Sequence, residues 1–231
     1  MSHERQVYLL DPQQLPPETI AVTFAKTSRS PLTFRQIAAE LTDARSAEFN
    51  EKWVVGYGHS SVAEHAVLHL AVENISRLAV ETLQSNRLAS YTEKSTRYQT
   101  WEADAFFIPA EFTHPGLVKR YVEVCRLLFS TYTTCQDGVM TFLDKNNPPI
   151  ENESGPQRER RLRSQAVDAC RFLLPAAALA NVGMTINARA LEHAIGKMLS
   201  HPLAEVQQIA NEIKAAASES VPTLLKYARE I

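Results

Sequence analysis

The chain has 231 residues, 45% of them hydrophobic and 22% charged, with a formal net charge of −2. That length buries a sizeable core, and the composition is that of a soluble globular protein read as a single domain over residues 1–231. A near-neutral charge excludes a protein that coats nucleic acid, so any anion site has to be local. No run of about 18 apolar residues is present and the first residues lack a signal-peptide profile, so the expected protein neither spans a membrane nor is secreted. The three cysteines, Cys125, Cys135 and Cys170, have no metal-like spacing and suit a reducing cytoplasm.

Taken in order, residues 7–10 read as a short strand, and Pro16 and Pro17 are expected to interrupt regular structure. Residues 21–28 are apolar with small side chains. Between residues 33 and 55, Phe34, Ile37, Ala38, Leu41, Phe49 and Val54 recur at helical spacing, giving one or two amphipathic helices with a break near Ser46. Gly56-Tyr57-Gly58 then marks a turn, followed by His59-Ser60-Ser61-Val62-Ala63-Glu64-His65. One chemistry open to this stretch is metal binding through His59, Glu64, His65 and His69, as in a metal hydrolase. Residues 66–73 read better as a strand, however, where positions four apart lie about 13 Å from each other, more than one tetrahedral ion spans. Residues 75–84 follow as a helix, with Asn86 a candidate left-handed cap.

Residues 84–99 collect hydroxyls, two arginines and a glutamate in one irregular segment. Arg87 and Arg97 offer planar forks suited to phosphate, while Ser90, Thr92, Ser95 and Tyr98 supply further donors. Beyond it, residues 115–143 form the longest helical pattern, and residues 146–160 read as a polar connection. The basic positions Arg158, Arg160, Arg161 and Arg163 read as a solvated face. A helix over residues 164–175 carries Arg171 just before Phe172-Leu173-Leu174-Pro175. Asn187 is placed to cap a helix that opens Ala188-Arg189-Ala190-Leu191-Glu192-His193. Residues 202–213 and 215–228 read as two amphipathic helices.

Arg87, Ala89, Ser90, Glu93, Ser95, Arg97 and Tyr98 resemble, at unbroken spacing, the signature of the flavin-dependent thymidylate synthases, with Ser85 and Asn86 standing where that family has an arginine and a histidine. Residues 58–65 resemble its Gly-His-x-(Thr/Ser)-x-x-Glu-His stretch, Arg171 to Pro175 its Arg-x-x-Leu-Pro, and Asn187-Ala188-Arg189 its flavin segment. His193 replaces a family asparagine, and Met198 replaces an arginine that polarises the uracil ring, with Lys197 adjacent. The resemblance implies an α/β (α+β) fold, a mixed sheet packed by helices. It implies FAD as cofactor, bound by His59, Ser61, Asn86, Arg87, Glu93, Asn187, Arg189 and His193. It also implies a pyrimidine nucleotide monophosphate bound by Ser85, Glu93, Ser95, Arg97 and Arg171, with Ser95 and Lys197 in catalytic roles.

The implied reaction is reductive C5-methylation of dUMP to dTMP, with NADPH and methylenetetrahydrofolate as co-substrates and a homotetramer as the assembly. No Gly-x-Gly-x-x-Gly fingerprint is present, so a Rossmann domain is not the route to flavin. The alternative is a divergent FAD- or nucleotide-binding relative that takes another substrate, such as UMP, or has lost methylation.

Overall fold

The computed structural model describes residues 5–56 and 60–231, the side chain of Val55 excepted. The chain divides into two compact units: Met1–Leu70, Asn86–Tyr91 and Met184–Ile231 form the first, and Ala71–Ser85 with Thr92–Gly183 form the second.

Unit one opens with α1 (Pro17–Thr27), which packs against α2 (Phe34–Glu40) and α3 (Asp43–Phe49). The prolines expected to break regular structure start it instead: Pro17 sits in the first turn, where its missing N–H would have had no intrahelical partner. Thr33 closes a capping box on α2, and Thr42 Oγ1 accepts from Arg45 N at the start of α3. The helical break therefore falls at residues 41–42 and not near Ser46, which is buried and shares a hydrogen bond with Thr19 at 3.1 Å. A π-helical stretch, Asn50–Gly56, continues α3, and a 3₁₀ segment, Ser60–His65, precedes the first strand. The strand expected over residues 7–10 does not form. Val7 and Leu9 are exposed, and the Tyr8 ring lies under the Arg35 guanidinium at 4.1 Å.

The unit is completed by α7 (Ala188–Leu199) and α8 (Ala204–Ser218), which pack together. Ala188, Leu191, Ala194, Ile195 and Met198 make the buried stripe of α7, and Val206, Ile209, Ala210, Ile213 and Ala217 that of α8. The helix expected over residues 215–228 is absent: α8 ends at Ser218, and turns follow. Those turns are held by Glu18, only 5% exposed, whose Oε1 accepts from Thr223 N at 2.8 Å and Leu224 N at 3.1 Å.

Unit two contains α4 (Arg77–Gln84), the 32-residue α5 (Pro115–Asn146) and α6 (Gly155–Cys170), with α5 lying along α6. Phe129 and Tyr132 of α5 are among its largest buried side chains. Trp101 is buried as well, its indole N–H donating to Leu179 O at 2.7 Å. The polar connection ends earlier than expected, because Ser154 makes a capping box and α6 begins at Gly155. Arg160 and Arg163 are exposed, as expected of a solvated face, whereas Arg158 and Arg161 are partly buried and pair with Asp144 and Glu153. Phe106 makes an isolated antiparallel bridge with Ala178.

Three strands, β1 (Val67–Ser76), β2 (Ala89–Glu93) and β3 (Leu179–Asn187), pair in the order β1-β3-β2. Ala188 N meets Ala66 O in unit one, and Arg77 N meets Ala178 O in unit two, so β1 and β3 run antiparallel. The architecture is the expected α/β one, helices together with a small sheet. β3 was not foreseen, although Ala180, Val182, Met184 and Ile186 alternate as its buried face.

Glu18→Ala leaves two buried N–H groups without an acceptor and is expected to destabilise the protein by about 3 kcal/mol in urea unfolding, with Glu18→Gln, which keeps an acceptor oxygen, losing clearly less. Equal losses in both variants would refute this role.

Candidate functional site

In unit one, β3 runs into α7 with no intervening residue. Asn187 turns the chain there by capping α7, its Oδ1 accepting from Ala190 N at 2.9 Å. The buried stripe of α7 then leaves Arg189, His193 and Lys197, at steps of four, on its exposed face. Arg189 Nη1 is ion-paired with Glu64 Oε1 from the 3₁₀ segment. Lys197 Nζ donates to Asn86 Oδ1 at 3.3 Å, and the Tyr91 hydroxyl donates to Asn86 O at 2.8 Å. Asn86 is thus a buried polar hub, 8% exposed, and not the left-handed cap expected of it. The residue after α4 is Ser85, in right-handed helical geometry, and Asn86 is not among the non-glycine residues with positive φ. Burial raises the pKa of the Tyr91 phenol above its ordinary value, keeping it a hydrogen-bond donor.

Met198, one position beyond Lys197, is 1% exposed and belongs to the core. Successive helical residues are about 100° apart, so the core takes Met198 and the neighbouring position faces Asn86. Arg87 and Ser61 are exposed. His59 lies outside the described residues.

A cavity of about 340 Å³ opens beside α7, lined by Ser60, Arg189, Glu192, His193, Tyr227 and Arg229 among others. Two arginines, a histidine and two hydroxyl-bearing residues are thus among its lining, residue types that suit a phosphorylated cofactor, and its size suits part of one. Burial pushes the Glu192 carboxyl up in pKa. A second cavity of about 320 Å³ is walled by Phe24, Phe49, Trp53 and His65, with the Arg29 guanidinium 4.2 Å over the Trp53 ring.

Of the four side chains weighed as metal ligands, His59 lies outside the described residues and the other three have contacts of their own. Glu64 holds Arg189, His65 packs on Phe24 with ring centroids 4.9 Å apart, and His69 Nδ1 lies 2.9 Å from Thr185 Oγ1. Among the described residues no group of three or more metal-ligating side chains gathers.

Unit two carries the second cluster. Asp168 Oδ1 stands 3.1 Å from both Arg97 Nε and Arg171 Nε, drawing together two arginines that are 74 positions apart (171 − 97). Ser95 Oγ accepts from Arg97 N at 3.2 Å and holds the start of that turn. Glu93 accepts from Arg77 Nη1 at 2.6 Å and from Gln84 Nε2 at 3.3 Å. Ser85 Oγ donates to Thr82 O at 2.7 Å, within its own helix end.

Of the residues expected to bind cofactor, Ser61, Asn86, Arg87, Asn187, Arg189 and His193 lie in unit one together with Lys197, whereas Glu93, expected for both cofactor and nucleotide, lies in unit two. Ser85, Glu93, Ser95, Arg97 and Arg171 lie in unit two. Sequence reasoning missed Asp168, Arg77 and Arg229. Asp168 is visible in retrospect as an i,i+3 partner of Arg171, whereas nothing in the local sequence marks the other two.

The sequence matches the family described as thymidylate synthase complementing protein over residues 10–223. A UPF0159 protein of Chlamydia pneumoniae is 30% identical over 80% of this chain, which spans only 36% of that relative's length. A flavin-dependent thymidylate synthase of Geobacter sulfurreducens is 28% identical, over 92% of this chain and 82% of its own length. Among solved structures, a UMP/dUMP methylase, PolB, of Streptomyces cacaoi bound with 5-Br dUMP aligns with a TM-score of 0.64 at 19% identity, covering 90% of this chain and 88% of that one. The flavin-dependent thymidylate synthase ThyX of Helicobacter pylori complexed with FAD and dUMP aligns at 0.56 and 19% identity, covering 93% and 96%. Among the described residues no helix is long and apolar enough to cross a membrane.

Asp168 neutralises one of the two charges offered by Arg97 and Arg171. Asp168→Asn is expected to tighten inorganic phosphate binding about twofold to fivefold at low salt, a modest gain because the groups are partly solvated. Calorimetric titration in low and high salt measures it, and unchanged or weaker binding in the variant would refute it.

Proposed function

Because the chain belongs to the thymidylate synthase complementing protein family, we propose that it is a flavin-dependent methyltransferase that converts dUMP to dTMP, using FAD, NADPH and methylenetetrahydrofolate and working as a homotetramer. The observation that carries the reading is the contact of Lys197 Nζ with Asn86 Oδ1, 3.3 Å apart. It places a positive charge beside a segment whose sequence has the family's pattern, even though the arginine position itself, Met198, is buried.

Each cluster has a definable task. Arg97 and Arg171 present guanidinium forks suited to a nucleotide phosphate, and the Asp168 carboxylate lies 3.1 Å from each Nε as a charge partner without an aligned hydrogen bond, while the outer nitrogens remain for ligand. Arg189, with Glu64 holding it, and His193 line a cavity whose donors suit the phosphates of a flavin nucleotide. Asn187 spends its side-chain oxygen on the cap of α7, leaving its amide N–H groups for ligand. To the Lys197 ammonium we assign the stabilisation of negative charge that develops on a uracil carbonyl oxygen during attack at the ring, a role a buried methionine cannot perform. When bound, the flavin supplies hydride chemistry that side chains do not.

Purified protein is expected to bind FAD and to release tritium from 5-tritiated dUMP when FAD, NADPH and methylenetetrahydrofolate are supplied, with 5-tritiated UMP as the competing substrate. Flavin binding without release from either nucleotide would show a binding relative that has lost methylation. Release from UMP in preference to dUMP would reassign the substrate, and failure to bind FAD at high concentration would overturn the reading.

A further inference from the structure

Resting on the flavin reading above, we infer that Arg229, carried by the strap of residues 226–231, is a further phosphate-binding residue of the cofactor cavity. The need for it comes from charge. Arg189, the cavity's arginine on α7, is already neutralised by its ion pair with Glu64. Glu192 on the same wall adds a carboxyl of its own. An anionic ligand in this cavity therefore requires another cation, and among the described residues Arg229 is a lining residue with no salt bridge.

The strap is held in place at several points. Lys226 Nζ and the Tyr227 hydroxyl bind Glu51 Oε1 at 3.0 and 2.9 Å, and Lys214 Nζ donates to Ala228 O at 2.6 Å. Ile231 N donates to Ser200 Oγ at 2.9 Å, and the same hydroxyl lies 3.0 Å from Ile231 O. Between these anchors the backbone presses directly on α7. A Cβ added at Gly196 would stand 3.0 Å from Arg229 O and 3.5 Å from Ile231 Cγ2. A side chain at this position would push the strap back by a few tenths of an ångström, and the close approach that glycine permits sets Arg229 at the cavity edge with Arg189 and His193, which belong to the same helix as Gly196.

The test is fluorescence titration of FAD and of riboflavin, which lacks phosphate, against the full chain and its Arg229→Ala, Arg229→Lys and Gly196→Ala variants, with circular dichroism to check folding. Arg229→Ala is expected to raise the FAD dissociation constant about tenfold and to leave riboflavin within about twofold. Arg229→Lys should recover part of the FAD affinity, and Gly196→Ala should behave like Arg229→Ala. If the full chain binds FAD and Arg229→Ala binds it equally well, or if FAD and riboflavin weaken together, the role of Arg229 is overturned while the flavin reading stands. If the full chain binds neither ligand, the flavin reading itself fails.

Discussion

The direct junction between β3 and α7 is the constraint on which the unit-one site depends. A strand that passes into a helix without a loop leaves no slack, so the rotation of the helix about its axis follows from the pleat of the strand and from the Asn187 cap. The core then settles the remainder. With Leu191, Ala194, Ile195 and Met198 buried, Arg189, His193 and Lys197 have to lie on the opposite side. One apolar stripe thereby selects which charged residues can reach a ligand, and it explains why Lys197 and not residue 198 faces Asn86. Placing an arginine at 198 would put a guanidinium into a site with 1% exposure, at the high cost of an unpaired buried charge.

Charges in both clusters are held in place by carboxylates before any ligand arrives. Glu64 fixes Arg189, Glu93 fixes Arg77, and Asp168 bridges Arg97 and Arg171. Such pairs add little stability, because most of these side chains are partly exposed. The same carboxylates limit how much net positive charge each cluster offers, which makes any further unpaired cation at a cavity edge important.

Long periodic elements were legible in the sequence, and features that rest on distant partners were not. The pattern over residues 115–143 became Pro115–Asn146, and the Asn187 cap fell where expected, since both depend on neighbours within a few positions. Residues 7–10 have strand composition but gain no pairing partner, and an isolated strand does not hold. β2 lay hidden in a hydroxyl-rich segment that read as irregular, and it forms because β3 supplies a neighbour. At the site, the residue types were readable and the pairings were not. Glu64 was weighed as one of several candidate metal ligands, yet it pairs with Arg189, 125 positions away. Asn86 read as a helix cap because its role requires Lys197, 111 positions away.

The central claim is that Lys197 supplies the positive charge which Met198 cannot. Its most direct measurement is turnover in the tritium-release assay for Lys197→Met and Lys197→Arg, alongside the nucleotide dissociation constant of each. The account predicts that Lys197→Met lowers turnover by about 100-fold to 1000-fold, the usual cost of losing a preorganised charge stabiliser. Nucleotide affinity should change only a few-fold, and Lys197→Arg should retain much of the rate. Turnover in Lys197→Met equal to that of the unaltered chain would contradict the account.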